Sequence, residues 1–149
     1  MLAVMLAEPS DAANLAVGAG VLMFLLIPLV IGLVVGILYV LSLQKTLNKC
    51  APENRAMQPG MIWLMLVPLV NLVWHFFVVI NMAKSLGAEF QKRGMAEEPE
   101  PGKKLGMIMC ILACCGIIPL LGVLCSIGAL VCFVMYWLKM VEFGKKLGA

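Results

Sequence analysis

His75 is the chain's single histidine and stands four residues after Asn71 in the run LVPLVNLVWHF, residues 66–76. On a helix the two polar groups share one face, with Trp74 and Val78 beside them. An imidazole in apolar surroundings can relay protons or hold a metal or haem. The competing role is packing: Asn71 and His75 hydrogen-bond to a neighbouring helix or to the carbonyl freed by Pro68. Packing is preferred, because the surrounding run contains no acid and one histidine makes a poor metal site. The second constellation is MCILACCGIIP, where Cys110 and Cys114 share a helix face and Cys115 follows directly. Thiolates suit soft ions. No second cysteine pair follows in a loop to complete a relay, and Gly106, Cys110 and Cys114 also form a small-residue ladder that lets another helix approach. Neither set requires a cofactor.

The elements that must position these residues are apolar helices. Of 149 residues 63% are hydrophobic, well above the share in soluble domains. Three stretches, 15–43, 61–83 and 105–138, contain no Lys, Arg, Asp or Glu and reach the ~20 residues needed to cross a bilayer. The third would run ~51 Å as one helix, too long for a ~30 Å core. Gly116, Pro119 and Gly122 near its middle divide it into 105–118 and 120–138, with a turn around Pro119. Pro28 and Pro68 predict kinks in the first two spans.

Lys and Arg near span ends test the count. Three spans would place Lys45, Lys49, Arg55, Lys139, Lys145 and Lys146 opposite Lys84, Lys92, Arg93, Lys103 and Lys104, a 6 to 5 division. Four spans place only Lys45, Lys49 and Arg55 outside, 8 to 3. The expectation is therefore an all-α bundle of four transmembrane helices in one domain, 1–149, with both termini cytoplasmic and a cytoplasmic linker over 84–104. In the alternative, the second and third stretches are re-entrant hairpins and all eleven cations lie inside. That arrangement needs irregular backbone at depth, which must be shielded by protein or water.

Gly32 and Gly36 form a GxxxG, Ala12, Ala16 and Gly20 precede it at the same spacing, and Gly122 with Ser126 repeats it later. These faces suit packing within the chain or between chains. The small-residue set 32, 36, 106, 110, 114, 122 and 126 is thus the candidate packing surface. Trp63, Tyr136 and Trp137 sit near span ends, where aromatic anchors belong. PLV at 28–30 and 68–70 and PLL at 119–121 echo one another, and kinks or turns explain them more simply than a transporter repeat. The start, MLAVMLAEPSDAAN, lacks a basic region and has only a short apolar part, so it reads as a mature amphipathic or frayed N-terminus, with a signal peptide as the weaker alternative. The net charge of +3 is small and its cations are scattered, which argues against nucleic acid as partner. Glu89, Glu97, Glu98 and Glu100 read as solvating charges, and no Ser/His/Asp set, HExxH or Walker motif points to an enzyme.

The segment from Trp63 to Phe90 resembles a pattern in small bacterial inner-membrane proteins of unknown function, carried here by Trp63, Pro68, Asn71, Leu72 and Trp74. The resemblance implies a bacterial inner-membrane location and no activity. MCILACCGIIP is also reminiscent of small mercuric-ion carriers over about ten residues. The expected function is a structural, accessory or assembly subunit acting by helix packing in membrane lipid, as a homo-oligomer or with other membrane subunits. The alternative is a small transporter or channel, for a soft metal through Cys110, Cys114 and Cys115 or for protons through His75.

Overall fold

The computed structural model describes residues 9–95, 97–116, 118 and 122–148. The chain divides into two compact units, 1–36 and 37–149. Among the described residues all regular structure is helical: α1 (Pro9–Asn48), a 3-10 turn (Pro52–Asn54), a 3-10 helix (Pro59–Leu66), α2 (Pro68–Lys92), α3 (Lys103–Cys115) and α4 (Gly122–Lys146).

The first unit contributes the N-terminal part of α1, where every side chain from Asp11 to Val34 is exposed. Leucine, valine and phenylalanine cover all sides of it, a pattern that belongs in an apolar medium. Pro28 lies inside this continuous helix, where the carbonyl of Phe24 loses its usual N–H partner.

The second unit has a core of Tyr39, Val40, Leu43 and Leu47 from α1, Val78, Val79, Met82, Leu86 and Phe90 from α2, Met109 and Cys110 from α3, and Tyr136, Met140 and Phe143 from α4. Each contributing helix presents residues spaced three or four apart, the spacing of one face. Among the described residues three helices are long and apolar enough to cross a membrane: Asp11–Asn48, Val70–Lys92 and Gly122–Lys146.

Several expectations are corrected. The stretch 61–83 is not one kinked helix. Val67 is extended, with φ −82° and ψ 111°, and Pro68 opens α2. A proline restricts the residue before it and loses nothing at the first helical position, so Pro68 starts a helix instead of bending one. The preceding arm winds as a 3-10 helix, with Ile62 and Met65 buried. Beyond residue 83 the linker is shorter than 84–104, because α2 continues to Lys92 and closes where Gly94 adopts φ +66° and the Met95 N–H bonds to the Phe90 carbonyl at 2.9 Å, so that the connector to α3 starts at Arg93.

The 105–138 stretch does divide into two helices, α3 and α4. The expected turn residue Pro119 lies outside the described residues. With 13 residues α3 is about 20 Å long, too short to cross a ~30 Å core, so among the described residues the long apolar helices number three and a fourth complete span is not found.

Candidate functional site at the charged end

The polar residues of the second unit gather where α1, α2 and α4 end and α3 begins. Glu89 organises the gathering. On α2 it falls on the buried face, one turn beyond Ser85, and its side chain is 4% exposed. One carboxylate oxygen accepts the Ala51 N–H at 2.9 Å and the Asn54 amide at 2.7 Å, while the other accepts the Arg93 Nε–H at 2.8 Å. A buried carboxylate is tolerated when its lone pairs are filled in this way. The expectation that Glu89 is a solvating charge is therefore wrong. Ser85 adds a further tie by accepting the Ala56 N–H at 2.9 Å.

Arg93 also donates to the Leu147 carbonyl at 2.9 Å and to the Lys49 carbonyl at 3.3 Å. Lys49 Nζ donates to the Gly144 carbonyl at 2.6 Å. The Thr46 hydroxyl lies 3.1 Å from the Met140 carbonyl and 3.0 Å from that of Ser42. Gly144 permits this approach, since a Cβ there would stand 2.7 Å from Thr46 Oγ1. Lys92 pairs with Glu53, and Lys146 with Glu97.

These contacts revise the distribution of charge. The four-span count set Lys49 and Arg55 on one face of the membrane and Arg93 and the tail on the other. Groups within hydrogen-bond distance cannot be separated by ~30 Å of hydrocarbon. Lys49, Arg93, Gly144 and Leu147 belong to one face.

Cys50 sits under this network, buried, with Sγ 3.9 Å from the Thr46 carbonyl. Burial pushes its thiol up to about 11, with Glu89 adding to the rise and Arg55 and Arg93 partly opposing it. A thiol held protonated at neutral pH is a weak nucleophile and metal ligand.

The residues singled out from the sequence are placed elsewhere. His75 meets Tyr39 of α1, Nε2 to hydroxyl 3.1 Å, whereas Asn71 is exposed, so the two polar groups do not converge on one partner. Trp74 donates its indole N–H to the Met61 carbonyl at 2.8 Å and fastens the 3-10 arm to α2. Gly106 is a close-contact point. A Cβ on it would lie 2.5 Å from Val79 and 2.8 Å from the Tyr136 ring. Cys110 is buried, and Cys114 and Cys115 are half-buried. Gly122 packs against the Gly116 carbonyl, and Ser126 Oγ would stand 3.2 Å from a Cβ on Gly116. Gly32 has no neighbour that a Cβ would meet, and Gly36 is half-buried. Among the described residues no group of three His, Cys, Asp or Glu side chains is placed to hold a metal.

Sequence reasoning missed Glu89, Thr46, Lys49 and Arg93 as a set. One signal was legible: Ser85 and Glu89 recur at helical spacing between Met82, Leu86 and Phe90. The chain matches no family model, no curated protein and no solved structure.

Proposed function

We propose that the chain is a non-enzymatic protein of a bacterial inner membrane that acts by helix packing, as a structural or assembly subunit, with a second copy of itself as partner. The observation that carries this reading is the first part of α1, exposed on all sides from Asp11 to Val34. A Cβ added at Gly18, Gly20 or Gly32 would meet nothing. Small residues in a membrane helix permit close approach of a second helix, and a GxxxG face is self-complementary.

The topology that supports it has α1 crossing the bilayer and the segments 59–92 and 103–146 entering and leaving by one face. Both α2 and α4 have the overall length to cross, but their charge-free parts, from Pro68 to Lys84 and from Gly122 to Lys139, run about 25 Å, which favours a re-entrant path over a full ~30 Å passage. One face of the 3-10 arm is buried, at Ile62 and Met65, and its Met61 carbonyl accepts the Trp74 indole N–H, contacts in favour of the shielding that irregular backbone at depth requires. All eleven cations then share the cytoplasmic face. In this topology only the C-terminus is cytoplasmic.

The test is particle mass in lipid nanodiscs, for the natural chain and for Gly32→Leu. A homo-oligomer that falls to monomer on substitution is the expected result, and a natural chain that is already monomeric sinks the reading.

A transport function has one observation in its favour, a cavity of about 380 Å³ lined by His75, Met109, Ala113, Ser126 and Phe133. Proton flux in vesicles that is lost in His75→Ala while the oligomer persists would favour it.

A further inference from the structure

The last turns of α1 and α4 border a groove of about 380 Å³ whose lining includes Ser42, Lys45, Asn48, Lys49, Val141 and Lys145. Three lysines and no carboxylate border it. Among the described residues none of the three forms an ion pair, whereas Lys92, Arg93, Lys103 and Lys146 all do. Lys49 is oriented by its bond to the Gly144 carbonyl, and the ammonium groups of Lys45 and Lys145 make no hydrogen bond to the described residues.

Two helix C-termini meet here and supply roughly half a negative charge each. Against three cations this leaves an excess of about two positive charges, so the groove favours an anion. Ser42 and Asn48 add uncharged polar groups at its edge.

Both helices continue the groove toward the hydrocarbon in the same way. On α1 the face through Lys49, Lys45 and Ser42 leads to Leu38, and on α4 the face through Lys145 and Val141 leads to Leu138 and Val134, at steps of three and four residues. Leu38, Leu138 and Val134 are 51%, 65% and 46% exposed, so an apolar track lies below the lysines on both sides. A soluble anion would use only the charged end, whereas a phospholipid would use both.

The geometry points to a binding site for one anionic phospholipid, its headgroup phosphate held among Lys45, Lys49 and Lys145 and its acyl chains lying along Leu38 and Leu138. The site depends on membrane placement alone and is independent of self-association.

The test is native mass spectrometry of the full chain released from nanodiscs of mixed phosphatidylglycerol and phosphatidylcholine. Lys45→Gln with Lys145→Gln removes two lysines that make no hydrogen bond to the described residues and leaves the structural Lys49 intact. Lys84→Gln with Lys104→Gln removes the same charge outside the groove. The natural chain should retain one phosphatidylglycerol in preference to phosphatidylcholine. The groove variant should lose that retention by roughly tenfold or more, the control should keep it, and millimolar inorganic phosphate should not displace the lipid. No preference in the natural chain, or equal loss in both variants, would overturn the site. Displacement by phosphate would overturn the lipid assignment in favour of a soluble anion.

Discussion

Between Asp11 and Val34 the chain leaves Leu15, Leu22, Phe24 and Leu25 more than half exposed, whereas between Tyr39 and Leu147 it buries Leu43, Leu47, Leu86 and Phe90 almost completely. Both regions are rich in the same residue types, so hydrophobicity does not separate them. Polar side chains do. The second region carries Thr46, Ser85 and Glu89 on buried faces, and each is satisfied by a backbone group of another segment. In an apolar medium such bonds, together with close packing, specify which helices meet, because the hydrophobic effect gives no preference there. A helix without them has lipid, or a helix with matching small residues, as its neighbour.

Substitutions can break this comparison at several levels. The largest effect is expected from Leu43→Ala, which opens a cavity in the second region and should lower unfolding free energy in micelles by about 2–4 kcal/mol. Leu25→Ala in the first region should change it by less than about 0.5 kcal/mol. Equal losses at the two sites would mean that the first region is packed within the chain.

Glu89→Gln comes next. It keeps the shape but turns an amide toward the donors of Ala51, Asn54 and Arg93, and should cost about 1–3 kcal/mol in the same measurement. A neutral result would remove Glu89 as the organiser of the charged end. Within the second region the smallest effect is that of Tyr39→Phe, which deletes the bond to His75 and should cost about 0.6 kcal/mol, readable as a slight shift of the unfolding midpoint. A loss several times larger would give the His75 region a weight that packing alone does not explain.

Much of this architecture was legible in the sequence. The apolar lengths revealed membrane helices, and the excess length of 105–138 required a break, which the structure has between Cys115 and Gly122. The effect of Pro68 was harder to read. A proline in an apolar run can bend a helix or begin one, and the choice depended on the 3-10 arm finding shelter against α2 and Trp74. The side of each charged loop was also hidden. Counting lysines and arginines assumes that every apolar stretch crosses, and it takes contacts such as those of Arg93 with Lys49 and Leu147 to reveal that these loops meet. Glu89 was misread because local sequence reports a charge but not the three donors that three-dimensional folding brings to it.

The meeting of all the charged loops at one end has a consequence for biogenesis. In the proposed topology, with both hairpins entering from the side that carries the lysines and arginines, neither the polar connectors 49–58 and 93–102 nor the last turns of α4 are translocated. Placing a lysine or arginine in the bilayer interior costs about 2.5–3.5 kcal/mol per residue on insertion scales. In that topology each hairpin partitions into the membrane as a unit after synthesis of its second arm, and α1 alone crosses the bilayer.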